Sequence, residues 1–345
     1  MAIISKKKPS FPIQQELKDY LIRYNRGVSL PLSYEDLLNY ENAIAYYDKN
    51  GEDTLWESVF FNHLDIQHIY DGLKYIYAQL HAGGDLKVID HLYIDRIDLC
   101  VYGNTKPFRI RVVNKINDLF NYFYVKKVDA SRVYGLELEH LLSPNSINFL
   151  IDETTLVEEH IHGIPGDQFM KNQIHAEDLN EIRLAKEFVK FNERCFVRLL
   201  GDMHSSNFVV EVIPDFDEVH YRIRAIDFDQ QSYEGRRVIY MPQFFKQNNP
   251  IIQLGLKHME PKLELQYQKE ERARIARRVK TSHIRLKKLV KCMRNDRIST
   301  EENFKNLREE LAEYYKDPVF LGCRNMGEIL EESLRQLVKQ PTRPR

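Results

Sequence analysis

The chain has 345 residues, of which 43% are hydrophobic and 29% are charged, and its 50 Lys and Arg nearly balance its 51 Asp and Glu. This length is enough for a large core, or for two lobes, and excludes a mini-protein that depends on disulfides or metals. The balanced charge argues against a globally basic protein, so nucleic acid is not an expected partner. With only 14 Gly and 13 Pro, the composition also argues against disordered, collagen-like and repetitive all-β chains.

The cysteine spacing and the lengths of the apolar runs indicate the compartment in which the protein is expected. The four cysteines form no CxxC pair, which argues against a zinc or redox motif. No run approaches the roughly 18 apolar residues of a membrane span, and the N-terminus lacks the apolar stretch of a signal peptide. We therefore expect a cytoplasmic protein without a transmembrane segment.

The first part of the chain has helical periodicity. Ser33 and Asp36 have the spacing of a capping box at the start of one helix. Glycines end the last of these helices, as they often do in proteins. The predicted helices cover 13–25, 33–49, 54–61 and 66–81. The sequence thus predicts a helical extension over residues 1–85.

Residues 86–161 change to the two-residue alternation of strands. A hairpin is predicted over 93–113, because alternating segments flank turn-forming residues. A third strand over 122–128 precedes a helix that begins after Asp129 or Ser131, either of which can cap it, and two short strands follow. This β-β-β-α-β-β order predicts a small antiparallel lobe.

Residues 162–345 are predicted to form a larger, mainly helical lobe. Apolar spacing over 173–194 is typical of a long buried helix. Short strands are then predicted over 196–200, 208–213 and 220–226, and the remainder is helical. The expected fold class is α+β.

Acidic and amide side chains lie next to apolar strands in two of these segments. Asp202 and Asn207 occupy a polar loop between strands, and Asp227 and Asp229 flank Phe228 after another strand. Carboxylate and amide oxygens are hard ligands suited to Mg²⁺, which usually binds one or two carboxylates together with substrate phosphates. Phosphoryl transfer needs such a metal site and a carboxylate that accepts the proton of the acceptor hydroxyl.

At these residues the chain resembles the protein-kinase-like superfamily, in particular its aminoglycoside phosphotransferase and choline kinase branch. The family's catalytic loop H-G-D-x-x-x-x-N and the later I-D-[FW] have counterparts at 200–207 and 226–228. The resemblance implies Asp202 as catalytic base and Asn207 and Asp227 as Mg²⁺ ligands. His204 matches a histidine often found in this loop.

The resemblance also covers the preceding lobe. It implies a strand lysine that contacts ATP phosphates, either Lys126 or Lys127, and a partner glutamate on the next helix, either Glu137 or Glu139. It further implies a hinge at 158–160, where the backbone around Glu158 and His160 would meet the adenine. The implied fold is two-lobed and kinase-like, with a small antiparallel β lobe, a large helical lobe and the N-terminal extension.

The implied activity is Mg²⁺-dependent transfer of the γ-phosphoryl group of ATP to a hydroxyl of a small molecule. The sequence departs from the family's motifs in three places. Leu200 replaces the loop histidine, Asp229 stands where many protein kinases have glycine, and no GxGxxG is present. Asp229 fits either a second metal-site carboxylate or a helix cap. The alternatives are a nucleotide-binding scaffold without useful turnover, and a kinase that acts on a protein or lipid.

A basic segment over 262–297 has no role in this resemblance. It contains 13 Lys and Arg against four Asp and Glu, with apolar residues at helical spacing. A basic amphipathic helix can bind an acidic surface or a phosphorylated ligand, and it can equally be the solvated face of a domain.

Overall fold

A computed structural model describes residues 8–81, 83–102, 105–216 and 218–339. Contacts between Cα atoms divide the chain into two compact units. The sheet unit comprises Gln15–Val128 and Ile147–His160. The helical unit comprises Met1–Gln14, Asp129–Ser146 and Ile161–Arg345. The protein is therefore an α+β protein, and its two units are described separately.

The sheet unit is built on a seven-stranded antiparallel sheet, with strand order β1-β2-β3-β4-β5-β7-β6. The strands are β1 (Asn42–Tyr47), β2 (Asp53–Phe60), β3 (Leu92–Cys100), β4 (Phe108–Asn114), β5 (Phe120–Lys127), β6 (Phe149–Asp152) and β7 (Thr155–Glu159). The five strands predicted between residues 86 and 161 are confirmed as β3 to β7. Gly103 and Asn104, in the predicted turn between β3 and β4, lie outside the described residues.

Three helices belong to the same unit, and one of them builds much of its core. They are α1 (Gln15–Arg23), α2 (Tyr34–Leu37) and α3 (Ile66–His81). The stripe Ile69, Leu73 and Ile76 of α3 is buried in one apolar cluster with residues of β3, β4 and β5. This confirms the helical prediction for 66–81.

The prediction of a wholly helical segment over 1–85 is wrong. The capping box of Ser33 and Asp36 forms, but α2 ends after one turn. The segments predicted as helix beyond it form β1 and β2, and Trp56 of β2 pairs with Cys100 of β3. Pairing with the existing sheet edge satisfies their backbone groups, which outweighs a helical pattern of short apolar runs.

The helical unit contains eight helices in its described residues and a small antiparallel sheet. The helices are α4 (Ala130–Leu142), α5 (Gly166–Asn172), α6 (Glu181–Arg198), α7 (Asn249–His258), α8 (Pro261–Thr281), α9 (His283–Asn295), α10 (Glu301–Tyr315) and α11 (Met326–Lys339). The strands are β8 (Ile164–Pro165), β9 (Phe208–Asp215) and β10 (Glu218–Ala225). Of the two predicted caps of α4, Asp129 is the one used, since its side chain accepts from the backbone N–H of Arg132.

Helix α6 differs from the predicted helix at both ends, and its last turns contain two buried arginines. It begins at Glu181, and it continues to Arg198, so the predicted strand at 196–200 is wrong. Its last turns bury Arg194 and Arg198, which are bound by the carboxylates of Glu271 and Glu139. Buried ions need such partners because an unpaired charge in a protein interior is strongly unfavourable.

Part of the basic segment is therefore internal. Arg272 of α8 donates to Glu193 of α6 at 2.6 Å, and Arg285 of α9 donates to Glu137 of α4 at 2.6 Å. These pairs hold α8 and α9 against the rest of the helical unit.

Every helix in the described part of the chain is too short or too polar to cross a membrane.

Candidate functional site

The loop after α6 holds Asp202 in an unusual backbone conformation. Leu199 ends α6 with a left-handed φ of 56°, and Asp202 has a φ of 63°. Its backbone N–H donates to the carbonyl of Ile239 at 3.1 Å. Left-handed non-glycine residues are energetically unfavourable and occur where the surrounding structure holds them, often at functional sites.

Asn207 connects this loop to the segment that follows β10. Its side-chain Nδ2 donates to the carbonyl of Asp202 at 2.8 Å. Its own carbonyl accepts from the N–H of Ile226 at 3.0 Å, immediately before Asp227. The structure thus brings together Asp202, Asn207 and Asp227, as predicted from the two separate motifs.

Several carboxylates converge on Asp202. Burial, together with the negative charges of three neighbouring carboxylates, raises the pKa of Asp202 to about 7; these are Asp227, Glu234 and Asp229. The side chain keeps 23% of its surface exposed, so a reactant can reach it. A carboxyl with a pKa near neutrality is well matched to accepting a proton at physiological pH.

His204 lies beside this carboxylate as a neutral imidazole. Burial lowers its pKa, although Asp227 and Asp167 act in the opposite direction. Its Nδ1 accepts from the N–H of Ser206 at 3.3 Å, which assigns the ring proton to Nε2. Nε2 lies 3.9 Å from Oδ1 of Asp202. This separation is too long for a direct hydrogen bond, so the imidazole is a polar neighbour of the Asp202 carboxylate.

Arg132 of α4 belongs to this site, although the sequence motifs did not identify it. Its Nη1 lies 2.8 Å from Oδ1 of Asp227 and 2.8 Å from Oδ1 of Asp229, and only 2% of its side chain is exposed. An arginine within the otherwise apolar start of a helix was the available signal. Glu234, close enough to affect the pKa of Asp202, was also missed because it lies outside both motifs.

Asp229 is hydrogen-bonded to both Asp227 and Arg132. Its backbone N–H donates to Oδ1 of Asp227 at 3.0 Å, and its carboxylate accepts from Arg132. The residues after Phe228 form a turn, and the next helical turn begins at Arg237, so Asp229 is not a helix cap.

The donor chemistry of Asp227 and Asn207 suits a hard divalent cation. Their oxygens are of the type that Mg²⁺ prefers, and the Asp227 side chain is 35% exposed. Arg132 already supplies one positive charge between Asp227 and Asp229. Among the described residues, no three His, Cys, Asp or Glu side chains are arranged as a metal site. The predicted ligands Asn207, Asp227 and Asp229 therefore offer one amide and two carboxylates, and Arg132 binds both carboxylates.

In the sheet unit, the two candidates for the predicted lysine of β5 differ in burial. Lys126 is buried and its Nζ donates to Oε2 of Glu158 at 2.8 Å, whereas Lys127 is exposed. His160, at the other predicted nucleotide position, has its Nδ1 3.0 Å from the hydroxyl of Tyr124.

The two candidate glutamates of α4 have partners within the helical unit. Glu137 accepts from Arg285 at 2.6 Å, and Glu139 binds Arg198. The predicted pairing of one of them with Lys126 stays a prediction.

Comparison with known proteins gives no family for this chain, because no protein-family model matches it and no curated protein matches it significantly. The case for a function therefore rests on the geometry of Asp202, Asn207 and Asp227 and on the residues around them.

Proposed function

We propose that the protein is a phosphotransferase of the protein-kinase-like type, which transfers the γ-phosphoryl group of ATP to a hydroxyl of a small molecule. The observation that carries the proposal is the position of Asn207, whose amide binds the backbone of Asp202 and whose carbonyl binds the residue before Asp227. A proton acceptor and two hard oxygen ligands thus belong to one hydrogen-bonded loop cluster.

In this proposal Asp202 accepts the proton of the acceptor hydroxyl. Its raised pKa strengthens it as a base, and its exposed edge admits the hydroxyl. His204 places a neutral imidazole beside this carboxylate, with its Nε2 3.9 Å from Oδ1 of Asp202. Asp227 and Asn207 would hold Mg²⁺, which supplies neutralisation of phosphate charge when bound.

Arg132 has an electrostatic part in the same proposal. Its guanidinium holds Asp227 and Asp229 in fixed positions and reduces their mutual repulsion. Preorganised charges of this kind usually provide the largest share of catalysis in phosphoryl transfer. Contact between Lys126 and nucleotide phosphates remains an expectation from the family resemblance.

The order of elements supports the kinase-like proposal. Strands β3, β4 and β5 precede α4, two further strands follow it, and the loop of Asp202 comes after α6. The form of the catalytic loop at 200–207 supports a small molecule as the acceptor.

The test is ATP consumption with Mg²⁺ and a panel of hydroxyl compounds, comparing the wild type with Asp202→Asn and Asp178→Asn. Asp178 is an exposed carboxylate outside the site and controls for charge removal. We expect a loss of at least about a hundredfold for Asp202→Asn and no loss for the control. Unchanged turnover in Asp202→Asn would contradict the proposed base.

A second function is favoured by the contact of Arg132 with Asp227, since it occupies an oxygen of the proposed metal ligand. That function is a nucleotide-binding scaffold without turnover. Binding of Mg-ATP in a thermal-shift assay, without consumption for any acceptor, would support the scaffold.

A further inference from the structure

A groove in the helical unit combines an apolar floor with a basic rim. It lies along α9 and α11, next to the end of α8, and encloses about 1110 Å³. Leu286, Val290 and Leu334 form its buried floor, and Ile284 has 64% of its surface exposed at the edge. A volume near 1,000 Å³ and an apolar lining are typical of sites that bind small molecules.

The charges around this groove are strongly biased. Five Lys and Arg side chains line it against a single carboxylate, that of Glu331. Glu331 is already bound by Arg335 at 2.6 Å and by Arg294 at 3.4 Å. Lys287 and Lys291 are exposed and form no ion pair within the described part of the chain. The rim therefore presents positive charge that the protein itself does not neutralise.

We propose that this groove binds a single molecule of an anionic amphiphile, with its apolar chain on Leu286, Val290 and Leu334 and its acidic head group on Lys287 and Lys291. Apolar burial provides affinity, and the two ammonium groups select an anionic head over a neutral one. The proposal is independent of the proposed phosphotransferase activity, because none of these residues belongs to the site of Asp202.

Other occupants match these features less well. Among the described residues no Phe, Tyr or Trp lines the groove, whereas single-stranded nucleic acids are usually held by stacking on such side chains. The last six residues of the chain, 340–345, contain two arginines and no large apolar side chain, so they do not complement a basic apolar groove. A flat lipid surface needs no concave site of this volume.

The test uses the full chain and the probe 11-(dansylamino)undecanoic acid, with its uncharged methyl ester as the matched ligand control. We expect saturable fluorescence enhancement by the acid below its micelle concentration, and at least tenfold weaker binding of the ester. Equal affinity of acid and ester would overturn the assigned head-group recognition.

Two sets of variants locate the probe. Charge reversal in Lys287→Glu/Lys291→Glu should weaken binding at least tenfold, whereas Lys262→Glu/Lys280→Glu changes the net charge equally on exposed positions of α8 outside the groove. Val279→Trp, at a half-buried lining position, should weaken binding without changing charge. Equal effects of the two charge reversals would overturn the site.

A vesicle experiment separates the proposed ligand from a membrane surface. Sedimentation with phosphatidylglycerol-containing vesicles that depends on Lys287 and Lys291, together with no binding of monomeric probe, would overturn the proposal in favour of surface binding. Saturable binding of monomeric probe that Val279→Trp abolishes would support it.

Discussion

Nη1 of Arg132 lies 2.8 Å from Oδ1 of Asp227, although the two residues are 95 positions apart in the sequence. The same nitrogen lies 2.8 Å from Oδ1 of Asp229. Helix α4 thereby provides a fixed positive charge to the acidic segment that follows β10. Because the arginine is almost fully buried and the carboxylates are partly exposed, this contact joins the interior of the helical unit to its proposed site.

Replacing Arg132 should destabilise the helical unit and increase its response to Mg²⁺. In Arg132→Ala, the carboxylates of Asp227 and Asp229 lose their shared cation and repel each other, at a cost of about 2 kcal/mol. Added Mg²⁺ should then raise the melting temperature of the variant more than that of the wild type. Thermal denaturation with and without Mg²⁺ measures both effects.

Arg183→Ala is the control for this experiment, since Arg183 makes a more exposed ion pair with Glu218 in the same unit. We expect it to change stability by less than about 1 kcal/mol and to leave the Mg²⁺ response unaltered. An Arg132→Ala variant as stable as the wild type, with the same Mg²⁺ response, would show that the contact has no energetic role.

The pKa of Asp202 predicts a pH dependence of stability with a definite sign. Burial and the neighbouring carboxylates together raise the pKa of this carboxyl to about 7, so the folded state binds more protons than the unfolded state between about pH 4 and pH 7. Stability should therefore fall as pH rises through this window. Asp202→Asn removes the effect. From pH 5 to pH 8, the free energy of unfolding of the variant should therefore rise by about 2 kcal/mol relative to that of the wild type, after allowance for partial exposure.

Urea denaturation at both pH values measures this gain, and Asp178→Asn is the matched control at an exposed carboxylate. The control should follow the wild type at both pH values. A stability difference between Asp202→Asn and the wild type that does not change with pH would mean that the carboxyl titrates normally.

The sequence predicted the loop cluster because its information is local. Asp202 and Asn207 belong to one short motif, and Asp227 follows a strand whose alternation is clear. It could not predict Arg132, because the partners of a buried arginine are set by tertiary packing of α4 against the segment after β10. The spacing of residues along the chain does not predict a contact between two such distant segments.

Strands β3 to β7 of the sheet were also predicted from local sequence patterns. Strands β1 and β2, at one edge of the sheet, were not predicted. The first four residues of β3 alternate buried and exposed positions, and the first five of β4 alternate buried and partly buried ones, while β1 shows only partly buried and exposed residues. A strand at a sheet edge needs no strict alternation, because neither face is well covered. Its identity depends on the pairing of β1 with β2 and of β2 with β3.

The pair of Lys126 and Glu158 should stabilise the sheet unit cooperatively. Both side chains are at least nine-tenths buried, so Lys126→Met leaves a buried carboxylate without its ammonium partner and should cost about 3 kcal/mol. Glu158→Gln should also destabilise, and the double variant should lose less than the sum of the two. Trp56, the only tryptophan, lies in β2 and reports unfolding of this unit by fluorescence.

Lys18→Met is the matched control, because its pair with Glu153 is exposed in the same unit. It should cost less than about 1 kcal/mol. Strictly additive effects of Lys126→Met and Glu158→Gln would show that the two side chains do not stabilise each other.

Two glycines in helices of the helical unit should respond to alanine with opposite signs. A Cβ at Gly135 of α4 would lie 2.9 Å from Cβ of Phe228, the residue between Asp227 and Asp229. Gly135→Ala should therefore push the helix from this segment and cost about 2 kcal/mol, even though alanine favours helix. A Cβ at Gly255 of α7 would meet nothing within 4 Å, so Gly255→Ala should stabilise by about 0.5 to 1 kcal/mol.

Urea denaturation followed by circular dichroism distinguishes the two signs. A stabilising Gly135→Ala would contradict the close packing of α4 on Phe228, and with it the position from which Arg132 reaches Asp227. Since the two substitutions are chemically identical, any difference between them comes from the surroundings of each glycine.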